Sequence, residues 1–454
     1  MFDPIIRIQS RTLQVAACDR MTEPQIPKDV RMSGFRDRAS VDQAWDWIHQ
    51  RAATATRRTN VVTLDQSYGL TLAESVISPM NVPSFDRAAM DGYAVVAEET
   101  TGATSYQPVV LQVVGKSLPG QGYSCQMQSG QAVEIMTGAP LPAGANAVVP
   151  IEFSSASQDI VELSAAVSPL KHVGRTAEDL AIGDVVVNSG RILRPQDVAV
   201  LASIGTTEVT VFERQKVRII ITGNELVKPG QSRQAHQIFE ANSYLLHGTV
   251  NRDGGIIESV RFTEDQPEEI ATALLAPGAD ILLVSGGSSV GAEDYAPQLI
   301  RQHGELSIHG MRMRPSSPAG MGMVGVTPVF LLPGNPVSCL CAYDFFASRY
   351  LRMLRGDNRP WPFPQRSGSL GRKVSSVIGR TDYCRVKYKD RKVTPLGVGG
   401  AGILSSTTRA DGFVIIPEMS EGLPAGSEVE VLLYDDSSAL DAGLPRSANS
   451  SEYV

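Results

Sequence analysis

Carboxylates set beside glycine turns are the most chemically suggestive feature of this 454-residue chain. The stretch ILLVSGGSSVGAEDY, 281–295, carries an apolar run into Gly286 and Gly287, and four residues separate Gly286 from Gly291. A P-loop shares that spacing but follows its second glycine with Lys and Ser or Thr, which meet phosphate and magnesium. Here Ala292, Glu293 and Asp294 follow. Backbone N–H groups at helix starts favour an anion. Acids in the same place suit a hard divalent cation, which binds through a few carboxylates and the oxygens of a phosphate.

Three further clusters join acids to small residues and glycine. They are PSFDRAAMDGYAV (83–95) with Asp86 and Asp91, EIMTGAPLPAGANAVVPIE (134–152) with Thr137, and GRTAEDLAIGD (174–184) with Glu178 and Asp179. Each acid taken singly also reads as a turn residue or a helix cap. The six histidines are scattered, so no catalytic triad and no histidine metal site is expected.

The elements that must position these residues follow from pattern. VRIIIT (217–222), IIESVRF (256–262), DILLVSG (280–286) and PVFLLPG (328–334) are apolar, β-branched runs with helical stretches between or after them. That alternation predicts a parallel sheet covered by helices. Three of the strands end in glycine turns, TGNEL, SGGSSVG and LPGNPVS, on the edge where such sheets bind ligands. Asn335 before Pro336 reads as an N-cap and first-turn pair. Ser40 caps a predicted helix with Val41, Ala44, Trp45 and Ile48 on its apolar face, and RPQDVAVLASIG (194–205) is a second helix stopped by Gly205. Short strands between about 60 and 165 predict a β-rich domain, PWPFP after Pro360 a linker, and the strands beyond it a small barrel or sandwich.

Composition sets the outer bounds. Apolar residues are 42% and charged residues 20%, a globular balance, and a net charge of -7 without a basic run argues against a nucleic-acid surface. No apolar span is long enough for a membrane helix, and five cysteines without metal spacing predict a soluble cytoplasmic protein, with Cys339 and Cys341 as core thiols.

FDRAAMDGYA, EIMTGAPLPAGANAVV, AEDLAIGD, IIITGNEL, VSGGSSVGAEDY and LPGNPVS, in this order, resemble the molybdopterin molybdenumtransferases, the family of MoeA and the gephyrin E domain. The resemblance runs from about Val30 to about Tyr434. It implies a multidomain α/β plus β fold. An N-terminal extension (1–37) precedes an elongated domain (38–65 and 166–212) that carries an inserted β domain (66–165). A three-layer MogA-like α/β domain (213–358), a C-terminal β-barrel (361–436) and a tail (437–454) follow. It further implies a homodimer that inserts molybdenum from molybdate into adenylated molybdopterin and releases AMP, with Mg2+. A MogA-like adenylyltransferase and molybdoenzymes would be partners.

Carried over by motif, Asp91, Thr137 and Asp179 would face the partner's site, and Glu225 and Asp294 would hold the metal. Gly286, Gly287, Ser289, Gly291, Arg314, Gly334 and Asn335 would bind pterin and phosphate, and Ser405 would approach from the barrel. The chain departs from the family at Asn224, and at Pro315-Ser316-Ser317-Pro318, where a lysine and a glycine are lost. It has Arg314 for a lysine, and a second lysine is replaced near His309 and Gly310. Arg312 and Arg314 would supply cationic grip as planar forks. Two other readings stay open: a non-enzymatic molybdopterin binder or scaffold, and a nucleotide pyrophosphatase sharing only the α/β domain.

Overall fold

The computed structural model describes residues 37–288, 294–397 and 400–435. Ser289, Gly291 and Glu293 lie outside the described residues, as do residues 1–36 and the tail beyond 435.

Helix α1 (Val41–Thr54) begins where expected: the Ser40 hydroxyl accepts from the Gln43 N–H and the Gln43 side chain accepts from the Ser40 N–H. Its buried face is Val41, Ala44, Trp47, Ile48 and Ala52, so Trp47 takes the fully buried place expected of Trp45. Trp45 is half-buried because its indole donates to the Phe345 carbonyl at 2.9 Å, and Arg349 stacks over its ring. Antiparallel pairs then run between distant segments: Thr59–Thr63 with Glu208–Phe212, Val76–Ile77 with Val185–Val187, and Arg87–Ala88 with Val173–Gly174. Chain left between these pairs builds a six-stranded sheet with separate apolar clusters including Tyr93, Leu111 and Val161, and Ala94, Val133 and Val148. Helix α2 (Pro195–Ser203) ends before Gly205, whose φ of 81° stops it.

The α/β sheet contains β1 (Lys216–Thr222), β2 (Ile256–Thr263), β3 (Ile281–Ser285), β4 (Gly304–His309), β5 (Gly320–Val324) and β6 (Thr327–Leu332) in the order β2-β1-β3-β6-β5-β4. The first four are parallel, but β5 and β4 are antiparallel additions, so the wholly parallel sheet expected from the pattern is corrected to a mixed one. Both additions were absent from the expected strands, and both are glycine-bearing: Gly304 and Gly322 are glycine because a Cβ there would lie 2.0 Å from the carbonyl oxygen of Met323 or Glu305. Helices α3 (Asn242–Arg252), α4 (Pro267–Leu275), α5 (Ala296–His303) and α6 (Pro336–Ala342) follow their strands, and α6 passes through a π-helical turn, Tyr343–Ala347, into α7 (Ser348–Leu354).

A closed ring of five strands, Thr381–Lys389, Lys392–Gly397, Gln365–Leu370, Glu428–Leu433 and Gly412–Ile416, forms the C-terminal barrel. The PWPFP segment is not a free linker. Trp361 and Phe363 are 9% and 7% exposed and pack edge-on against Phe345 and Phe413. One core cluster thus joins α1, the α/β sheet and the barrel. Burying aromatic area outweighs the freedom that a proline-rich stretch would otherwise keep.

Candidate functional site

A cavity of about 700 Å³ opens at the C-terminal edge of β1, β3 and β6. All three predicted glycine turns line it, through Gly223, through Gly286 and Gly287, and through Gly334 with Asn335. The approach is tight: a Cβ on Gly286 would lie 2.2 Å from the Thr222 carbonyl oxygen, and φ there is 97°. Only glycine fits.

Glu225 and Asp294 line the same cavity, with Asp265 and Glu240 as two further carboxylates outside the expected metal pair. Asn224, the departure from TGDEL, exchanges bonds with Asp265: its N–H donates to Asp265 Oδ2 at 3.3 Å and its Oδ1 accepts from the Asp265 N–H at 3.1 Å. This ties the end of β1 to the turn after β2. Among the described residues no group of three or more Asp, Glu, His or Cys is arranged to hold a metal by itself. Glu225 and Asp294 are hard oxygen donors that fit a cation whose remaining ligands are water and phosphate.

Among the described residues, two buried polar atoms in the lining have no hydrogen-bond partner. Thr222 Oγ1, on a residue 3% exposed, faces Gly286 and Gly287. Asn242 donates to Ser285 Oγ at 2.9 Å and to the Gly334 carbonyl at 2.7 Å, leaving its Oδ1 unsatisfied. Asn242 therefore staples two of the three glycine turns together while holding an acceptor ready. Beside it, buried Glu240 takes both the N–H and the hydroxyl of Ser243 at the start of α3. Such orphaned groups cost about 1–3 kcal/mol each until a ligand meets them. Leu226, Ile238, Phe239, Pro318 and Pro333 give the cavity an apolar side for a flat ring.

At the far end of the turn, His309 Nε2 lies 3.0 Å from the Ser288 carbonyl, and Arg301 Nη2 lies 3.5 Å from Nδ1. A carbonyl only accepts and a guanidinium only donates, so the ring is the neutral Nε2–H tautomer. Burial, first, holds its pKa below the usual value.

A second hollow of about 530 Å³ adjoins the cavity and shares Pro318, Pro333 and Asn335 with it. Arg312, Arg314 and Arg380 line it with Ser316 and Ser317. Arg314 therefore lies beside the main cavity, not in it. Its guanidinium is held 2.6 Å from Asp382, which also pairs with Arg380 at 3.1 Å, while Arg312 pairs with Glu418 at 3.0 Å. Arg380 had no motif to betray it. Asn335 starts α6, but its side chain caps nothing. Its Oδ1 lies 3.6 Å from where a Cβ on Gly402 would stand, so the barrel loop meets the site at Gly402 and not at Ser405. Ser405 lines neither space and begins a short helical turn.

Asp91, Thr137 and Asp179 do not line the cavity of their own chain. They belong to the inserted sheet and its neighbour. Asp91 Oδ1 accepts from both the N–H and hydroxyl of Thr137 at 2.7 Å, and the hydroxyl bond, then the backbone bond, holds its pKa below the usual carboxylate range. Asp86 makes the same pair of bonds with Thr176 at 2.8 Å. Asp179 is exposed.

A glycine cradle, buried polar atoms and flanking carboxylates thus meet at one sheet edge, with an arginine-lined hollow adjoining. Residues 39–205 match the profile described as MoeA N-terminal region (domain I and II), 218–353 a probable molybdopterin binding domain, and 367–434 the MoeA C-terminal region (domain IV). Molybdopterin molybdenumtransferase 2 of Mycobacterium tuberculosis is 35% identical over 397 residues, covering 84% of this chain and 98% of that one. Molybdopterin molybdenumtransferase of Haemophilus influenzae is 29% identical over 400 residues, covering 86% and 98%. A crystal structure of the molybdopterin biosynthesis moeA protein of Pyrococcus horikoshii OT3 superposes with a TM-score of 0.76 at 30% identity, covering 88% of this chain and all of that one. The chain belongs to the MoeA family.

Proposed function

We propose that the chain is a molybdopterin molybdenumtransferase, which inserts molybdenum from molybdate into adenylated molybdopterin and releases AMP. The observation that carries this is one cavity in which three glycine turns meet the unpartnered Thr222 and Asn242 atoms beside Glu225 and Asp294. Phosphate oxygens would lie on the turn N–H groups, and the pterin would lie on the side of Leu226 and Phe239. Arg312, Arg314 and Arg380 would dock the molybdate dianion in the adjoining hollow, each as a two-pronged donor. Glu225 and Asp294 would hold Mg2+, which when bound supplies Lewis-acid polarisation of the phosphoanhydride. The dithiolene is itself a strong ligand, so the protein's task is to orient the two substrates and exclude competing water.

The site would be completed in a homodimer, with Asp91, Thr137 and Asp179 reaching the partner's cavity, in the cytoplasm, between a MogA-like adenylyltransferase and recipient molybdoenzymes. The test is reconstitution of an apo-molybdoenzyme with purified protein, adenylated molybdopterin, molybdate and Mg2+. AMP release with reporter activity is expected. One observation favours a second reading, a non-enzymatic binder: Arg314, which stands where the family has a lysine, is engaged by Asp382, and neighbouring Arg312 by Glu418. Tight binding without AMP release would select it.

A further inference from the structure

The opposite edge of the α/β sheet carries its own pair of hollows, and the molybdenum reaction described above uses neither. One, of about 400 Å³, is lined by Arg214, just before β1, by Gly254, just before β2, and by residues after α7, so it lies at the N-terminal ends of the strands. The other, of about 630 Å³, shares Ile192 and Arg359 with it. Together they separate the Tyr68–Thr71 and Gly190–Arg194 segments from the α/β domain.

Six arginines line these hollows, Arg191, Arg194, Arg214, Arg252, Arg355 and Arg359, against two acids, Glu213 and Asp357. The acids are shared: Asp357 serves Arg352, Arg355 and Arg359, Asp197 serves both Arg191 and Arg194, and Arg252 pairs with the buried Asp253 and Asp344. Arg214 meets only the carbonyl oxygens of Gly254 and Gly255, at 3.2 and 2.6 Å. The carboxy ends of α3 and α7 lie here as well. Each contributes about half a negative charge, so that, with Glu213, Asp197, Asp253, Asp344 and Asp357 also set against them, the arginines, Arg352 included, keep a small positive excess.

Two polar atoms in the lining are buried without a hydrogen-bond partner among the described residues. They are Thr71 Oγ1, on a residue 2% exposed, and Arg355 Nε, whose guanidinium otherwise reaches Asp357 only at 3.4 Å. Tyr68 and Phe212 add aromatic wall. Clustered guanidinium forks with a hydroxyl donor suit an oxyanion such as phosphate better than a neutral ligand.

We propose that this cleft is a second anion site, for a phosphate or the phosphate group of a larger ligand, which bridges the Tyr68–Thr71 and Gly190–Arg194 segments to the α/β domain. It does not depend on the molybdenum chemistry proposed for the other edge.

The test is calorimetric titration of the full chain with inorganic pyrophosphate, without divalent cations, paired with hydrogen exchange. Saturable binding is expected, with protection at 68–71, 190–194 and 355–359. Arg355→Gln should weaken it at least about tenfold, the loss of one charge-assisted bond. Thr71→Val, which removes only the unpartnered hydroxyl, should weaken it several-fold and serves if Arg355→Gln fails to fold. No saturable binding overturns the proposal. So does protection confined to 222–225, 285–288 and 333–336, or affinity unchanged in the folded variants.

Discussion

Asn242 and Thr222 join the site beside the acids selected from the sequence, because they present buried acceptor and donor groups without a hydrogen-bond partner among the described residues. Removing the Asn242 amide (Asn242→Leu) should loosen the turn between Gly286 and Gly334 and lower kcat/KM by about 100-fold, read as AMP release at fixed molybdate. Asp294→Asn keeps the shape of the side chain but removes the charge proposed to hold Mg2+. Turnover should fall by at least about 100-fold with an unchanged melting temperature. Wild-type turnover in that variant would misplace the metal. His309 is a subtler case, since its ring supports the Ser288 carbonyl from outside the cavity lining. His309→Gln can donate to Ser288 and accept from Arg301, so it should retain most activity, whereas His309→Leu should raise KM with less effect on kcat. Equal losses in both would mean that the ring acts by bulk alone. The glycine turns were legible from the sequence because their spacing is local. Thr222, Asn242 and Arg380 were not, since an orphaned atom is defined by neighbours far along the chain.

At the scale of elements, the segment from α6 to α7 decides how the barrel meets the α/β domain. Its π-helical turn places Tyr343, Asp344, Phe345 and Phe346 all inside. Asp344 is fully buried, and desolvation pushes its pKa up to about 6 against the pull of Arg252, 2.8 Å away. The folded form thus binds a proton that an unfolded aspartate releases nearer 4, so Asp344 makes stability fall as pH rises from about 4 to about 6. Asp357 is opposite in sign. Its arginines hold its pKa down to about 2 despite its burial, so its contribution is lost as pH falls from about 4 to about 2. Melting curves of Asp344→Asn should show a flatter pH dependence than wild type between pH 4 and 6, with no change below that window. Trp361→Ala should cost about 3–5 kcal/mol and separate the barrel transition from that of the α/β domain in calorimetry. Sequence pattern called the helices and parallel strands correctly because their apolar periods are local. It did not find β4 and β5, and it took PWPFP for a linker, because glycine and proline there answer to tertiary neighbours.

At the scale of the whole molecule, the acids divide into two sets. Glu225, Glu240, Asp265 and Asp294 share one cavity, and Asp91 (with its partner Thr137) and Asp179 stand outside it. If a homodimer unites them, mixing inactive Asp91→Asn chains with inactive Asp294→Asn chains should restore about a quarter of wild-type turnover, since half the dimers then hold one intact site. No recovery after subunit exchange would mean that each chain acts alone. The ordered motifs were enough, by themselves, to determine the family and the glycine edge, because backbone geometry at a turn demands glycine whatever surrounds it. The tertiary structure alone decided which polar atoms remain unsatisfied, that Arg314 is tied to Asp382 beside the cavity and not inside it, and that the strand edge opposite the glycine turns is lined with arginines. Those are properties of distance and burial, and residues such as Arg214 and Arg355, 141 positions apart in the chain, acquire them only once the chain has packed.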